Sequence, residues 1–147
     1  MRKELLRLRK RLWEKQLNRI KSIVYDFIRV LNENGLVVDE LYLFGSRARG
    51  DFSLYSDIDL VVVSDDWRGL PMNRRLSILY RLWGYDYDVT FYPLTRDELI
   101  KWIDRSIVLR DASKYWIKIY SRNHLETIDQ LPSIIRTLLI HGNGVGL

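Results

Sequence analysis

Residues 57–63, Asp-Ile-Asp-Leu-Val-Val-Val, set two carboxylates one residue apart at the head of the longest aliphatic run in the chain, Leu60 to Val63. Side chains two apart on a strand leave the same face, so Asp57 and Asp59 point together, with alpha carbons about 6.6 Å apart. The run behind them carries no polar alternation, as expected of an inner strand covered on both faces. Like charges beside a hydrophobic strand repel, and burying both is costly unless a cation neutralises them. Hard divalent ions with oxygen ligands, above all Mg2+, are the natural remedy.

The flanking sequence supplies the cover. Trp13, Leu17, Ile20, Val24, Phe27 and Leu31 follow alternating steps of four and three, one stripe of an amphipathic helix that ends near Asn34-Gly35. Leu41 to Phe44 reads as a buried strand that turns through Gly45-Ser46-Arg47-Ala48-Arg49-Gly50. Pro71 can open a helix to about Trp83. Tyr85 to Tyr92 alternates with a period of two until Pro93, which predicts a third strand with Tyr85 and Tyr87 opposite Asp86 and Asp88. Thr95 to Glu98 has the spacing of a capping box for a helix through Ile103. A shorter helix near Leu109 to Tyr115, an edge strand Trp116 to Tyr120, an amphipathic segment Leu125 to Ile140 and a glycine-rich tail complete the reading.

Asp88, on the polar side of the third strand, can supply a third carboxylate. Three acids from neighbouring strands suit a two-metal site, whose ions lie about 3.5–4 Å apart. At the end of the first strand, Gly45 lets the backbone approach a ligand closely, and Ser46 can donate to phosphate oxygens. Arg47 and Arg49 add positive charge to the same loop, although Arg49 could pair instead with Asp51 or Asp57. His124 and His141 have no metal-ligand spacing and read as surface residues.

Composition narrows the classes. The chain has no cysteine, which excludes disulfides, zinc thiolates and thiol nucleophiles. No stretch approaches the roughly 20 apolar residues that span a bilayer, and no signal-like start is present, so a cytoplasmic protein without a membrane partner is expected. Residues 1–21 hold nine basic and two acidic side chains, against 15 basic and 17 acidic in the remainder. Such an arm can attract nucleic acid, an acidic partner or a membrane surface, though a solvated helix face explains it as well.

Read together, Gly45-Ser46, ten further residues and Asp57-Ile58-Asp59-Leu60 resemble the signature of the DNA polymerase beta-like nucleotidyltransferase superfamily. The wider string from Gly45 to Asp51, continuing to Ser56-Asp57-Ile58-Asp59-Leu60, is most similar to the minimal nucleotidyltransferase branch. Many members of that branch are antitoxins encoded beside a HEPN partner. The core resemblance covers about residues 36–93, and Asp88, followed by Val89, resembles the third acid of the family better than Asp86 does.

The resemblance implies an α/β nucleotidyltransferase fold, with a mixed, partly antiparallel sheet of about four strands flanked by helices. Residues 1–147 would form one domain: a basic helix over 1–35, a catalytic core over 36–93, and helices with a tail over 94–147. Asp57 and Asp59 would hold two Mg2+ ions and Asp88 the second of them, with Gly45, Ser46, Arg47 and Arg49 at the phosphates. The implied reaction transfers a nucleoside monophosphate, AMP from ATP or the equivalent from another nucleoside triphosphate, to a hydroxyl and releases pyrophosphate. The acceptor would be gripped by the extra helices, a second copy of the chain in a homo-oligomer, or a partner protein, a HEPN tyrosine if the antitoxin resemblance holds. The alternative is a module of the same fold that binds a nucleotide or partner without turnover; nucleic acid is a less favoured partner.

Overall fold

The computed structural model describes residues 1–50 and 57–122, and the segment 125–140 and the glycine-rich tail fall outside them. Helix α1 (Arg2–Glu33) stops at Asn34, and Gly35 follows with φ +87°, the left-handed residue expected after a helix end. The helix is seated from Trp13 onward: Ile20, Val24, Phe27, Ile28 and Leu31 are buried and Trp13 and Leu17 half-buried against the core, while Leu5, Leu8 and Leu12 are exposed.

Strand β1 (Glu40–Phe44) leads into one helical turn, α2 (Ser46–Arg49). Strand β2 (Ile58–Val63) and helix α3 (Met72–Leu82) precede β3 (Val89–Leu94). Helices α4 (Arg96–Asp104) and α5 (Ile107–Ala112) then lead to β4 (Ile117–Ser121). The sheet order is β3-β2-β1-β4, with β1 antiparallel to β2 and β4, and β2 parallel to β3. It is therefore a four-stranded mixed sheet.

Alternation divides the strands between two apolar layers. Leu43, Leu60 and Phe91, opposite one another in register, join Phe27 and Leu31 of α1 and Leu79 of α3. On the reverse face Tyr42 and Val61 join Leu99 and Ile103 of α4. Thr95 and Glu98 form the full capping box that opens α4. No helix among the described residues is long and apolar enough to cross a membrane.

The third strand departs from its alternation pattern. Residues 85–87 form a bend and β3 begins only at Val89. Trp83 Nε1 donates to the Tyr87 carbonyl at 2.9 Å, and the Tyr85 hydroxyl donates to Asp26 of α1. Tyr85 packs edge-on against Phe27 and Trp83. These contacts hold the half-buried tyrosines against the core on the α1 side, the face that the strand alternation gives them, without a ladder. Pro93 lies inside β3 instead of ending it. An edge strand tolerates a residue without an N–H, and Arg75 Nη1 donates to the Pro93 carbonyl at 3.1 Å. The helix expected at 109–115 starts earlier, as α5, and continues as a 3-10 turn at Ser113–Tyr115.

Candidate active site

The parallel register sets Ile58 opposite Val89 and Asp59 opposite Thr90, and the Ile58 amide donates to the Asp88 carbonyl at 2.8 Å. Carried back one residue, that register places Asp57 beside Asp88 on chains about 4.8 Å apart. Asp59 lies on the sheet face of Tyr42 and Val61, and the same alternation carried one residue past the strand starts would put Asp57 and Asp88 on that face. Asp86 sits in the bend ahead of the ladder. Asp57 and Asp88 are exposed, and Asp59 is half-buried opposite Phe44 at the end of β1.

Gly45 makes the turn above Asp59. Its φ is +78°, and a β-carbon built there would collide with Asp59 Oδ2 and stand 3.3 Å from Asp59 Cγ. Glycine alone supplies both the left-handed backbone and the space for the carboxylate. The Ala48 amide donates to the Gly45 carbonyl at 3.2 Å, so the turn passes directly into α2. The backbones of Ser46 and Arg49 lie in that turn, and their side chains fall outside the described atoms.

Arg47 is buried, with its guanidinium 5.8 Å from the centre of the Tyr87 ring. Desolvation lowers its pKa, opposed by attraction from Tyr87, Asp57 and Asp59. An arginine remains charged at neutral pH even so. The loop's positive charge at this position is therefore directed inward, toward the acids. Burial, with the nearby Asp59 charge as the next cause, raises the Tyr92 hydroxyl.

Trp13 joins the site from α1. Its Nε1 donates to the Arg47 carbonyl at 2.8 Å, and a β-carbon on Gly50 would meet its ring at 3.4 Å. In the sequence Trp13 is one more residue of an amphipathic stripe, and nothing there marks it as a neighbour of the glycine turn.

The donors suit a divalent cation in kind: carboxylate oxygens from adjacent strands, with a cradle over Asp59 that a side chain at Gly45 would fill. Among the described residues, no three acidic or histidine side chains are gathered around an ion position as they stand. A separate groove of about 640 Å³ lies along β3, lined by residues including Met72, Tyr92, Lys101, Trp102 and Arg105, with none of the three acids on its wall.

Residues 24–142 match the family model of the nucleotidyltransferase domain, a span that contains Gly45 and all three acids. The chain is 27% identical over 82 residues to the "putative protein adenylyltransferase" of Methanocaldococcus jannaschii, covering 56% of this chain and 80% of that protein. It overlays on the crystal structure of a "putative nucleotidyltransferase" from Sulfolobus solfataricus with a TM-score of 0.52 at 24% identity, covering 78% of this chain and 87% of the other. A further likeness, with a TM-score of 0.47 at 23% identity, is to the crystal structure of a toxin-antitoxin with AMP-PNP, over 70% of this chain and 74% of that one. An alignment of 82 residues already spans most of the M. jannaschii protein. The chain belongs to the nucleotidyltransferase domain family.

Proposed function

We propose that this protein transfers AMP from ATP to a hydroxyl on a protein acceptor, with release of pyrophosphate. The observation that carries the reading is Asp59 packed under the side-chain-free Gly45 turn, with Asp57 and Asp88 in the residues just ahead of the paired strands β2 and β3. A pure binding module has little use for a carboxylate held against a glycine turn with two more acids at the adjoining strand ends. The name of the M. jannaschii relative favours a protein acceptor, and a HEPN-domain tyrosine is the specific candidate.

Asp57 and Asp59 would hold two magnesium ions, and Asp88 the second of these. Bound magnesium supplies positive charge to the triphosphate and acidity to the acceptor hydroxyl. The acceptor oxygen attacks the alpha phosphorus in line, the bond from that phosphorus to the bridging oxygen breaks, and pyrophosphate leaves. Asp88 accepts the hydroxyl proton. The Gly45 turn and its amides orient the phosphates, while Arg47, held inward, offsets the charge of the acid pair. Positioning and charge neutralisation are the main contributions that phosphoryl transfer asks of a protein.

Incubation with Mg2+ and ATP labelled at the alpha phosphate, with and without the product of the adjacent gene, tests the proposal. Label is expected on a protein hydroxyl, with pyrophosphate released, and Asp57→Asn is expected to abolish it. Tight ATP binding with no label transferred to any acceptor would favour the non-catalytic module instead.

A further inference from the structure

The mechanism above leaves the contact between α1 and the glycine loop unused. Trp13 stands seven residues, about two helical turns, before Ile20, the first residue of α1 that is fully buried in the core. Between them, only Leu17 packs against the main core as a partly buried apolar residue. Most of the helix N-terminal to Trp13 faces solvent. Trp13 is therefore the last anchor of α1 before the exposed arm, and what it touches is the loop of the acidic site.

That contact has two parts on one short segment. The indole N–H bonds the carbonyl of Arg47, and the ring lies where a side chain on Gly50 would go. Gly50 has φ +81°, so its lack of a side chain answers both its backbone and the indole beside it. The residue whose carbonyl is held is the one whose guanidinium lies over Tyr87 and feels Asp57 and Asp59. Fixing the Arg47 main chain limits where its charge can go.

We infer that Trp13 is a positioning residue of the nucleotide site: its bond to the Arg47 carbonyl and its packing on Gly50 hold the Gly45–Gly50 loop, and the inward charge of Arg47, in register with Asp57 and Asp59. Trp13 acts through the loop and touches no reacting atom. As it concerns the use of the loop for a nucleotide, the inference rests on the function proposed above.

The test compares Trp13→Phe, which keeps an aromatic ring and removes the N–H, with Val24→Ala, which opens the core under α1 away from the loop. Hydrogen exchange is followed in the ligand-free proteins, and binding of a non-hydrolysable ATP analogue with Mg2+ is measured by calorimetry well below each melting temperature. Trp13→Phe is expected to speed exchange at 45–50 while leaving 58–63 protected, and to weaken binding of the analogue about fivefold, the effect of one lost hydrogen bond. Val24→Ala is expected to lower the melting temperature and leave that affinity unchanged. Unaltered loop exchange in Trp13→Phe, or equal weakening by Val24→Ala, would overturn the inference. If the wild-type protein binds no nucleotide while Trp13→Phe still loosens the loop, the buttress stands and the proposed function falls.

Discussion

Asp59 can lie against the turn because residue 45 has no side chain. In Gly45→Ala the new methyl needs the place of Asp59 Oδ2, and an alanine must adopt φ near +78°. Backbone strain of this kind costs about 1–3 kcal/mol. A misplacement near 1 Å at a reacting centre can cost about 100-fold in rate. Gly45→Ala is therefore expected to lower the urea midpoint modestly and nucleotidyl transfer by about two orders of magnitude, as chemical unfolding and label transfer would record. Asp86 and Asp88 give a sharper contrast, since they are two residues apart and only Asp88 adjoins the β2 ladder. Asp88→Asn is expected to lose transfer, and Asp86→Asn to stay within about twofold of wild type because its exposed carboxylate is weakly coupled to the site. Equal rates in the two variants would displace Asp88 from its proposed role.

Among the elements, α4 is fixed to the sheet by its own cap. Arg75 of α3 donates to Glu98 at 2.8 Å, and the Glu98 carboxylate accepts from the Thr95 amide at 3.0 Å. Burial pulls the Glu98 carboxyl upward, but the bonds from Arg75 and Thr95 outweigh it and leave the pKa lowered. A carboxyl held below its ordinary value stabilises the fold above about pH 4.3, and that contribution is lost as pH falls through the lower folded value. The melting temperatures of wild type and Glu98→Gln should therefore differ near neutrality and converge in acid. On β1, Glu40 is buried and pairs with Arg96 at 2.6 Å and Lys118 at 3.6 Å. Losing a hydrogen bond to a charged group costs about 1.5–3 kcal/mol, so Glu40→Ala should unfold at lower urea.

These elements differ in how far the chain announces them. The α1 stripe, the apolar run of β2 and the capping box are local patterns, and each has its counterpart in the structure. The bend at 85–87 breaks a good strand alternation because Asp26 and Phe27, about 60 positions earlier, capture Tyr85, and no local pattern reports a partner that distant. Pro93 misled in the same way: its tolerance depends on β3 being an edge, a property of sheet order. The burial of Glu40 and the reach of Trp13 to Arg47 likewise arise only when separate segments meet. Strand geometry alone is enough to expect residues 57 and 59 on one face, and of the two only Asp59 lies within β2.

Over the whole molecule the charge and the apolar surface are distributed unevenly. The exposed start of α1 carries Leu5, Leu8 and Leu12 among basic residues and contributes none of the buried core. Deleting residues 1–12 should leave the melting temperature within a few degrees, since surface changes away from packed contacts are worth about 0.5 kcal/mol or less. A large fall would show that the arm is seated on the body. The sheet and its two helical layers hold the acids independently of that arm. The claim on which the account turns is that Asp57, Asp59 and Asp88 together hold divalent ions when a triphosphate is present. Manganese binding, counted by electron paramagnetic resonance with a non-hydrolysable ATP analogue, tests it directly in wild type and the three Asp→Asn variants. Two ions per chain, with loss in every variant, is the predicted result; equal binding in wild type and all three variants would contradict it.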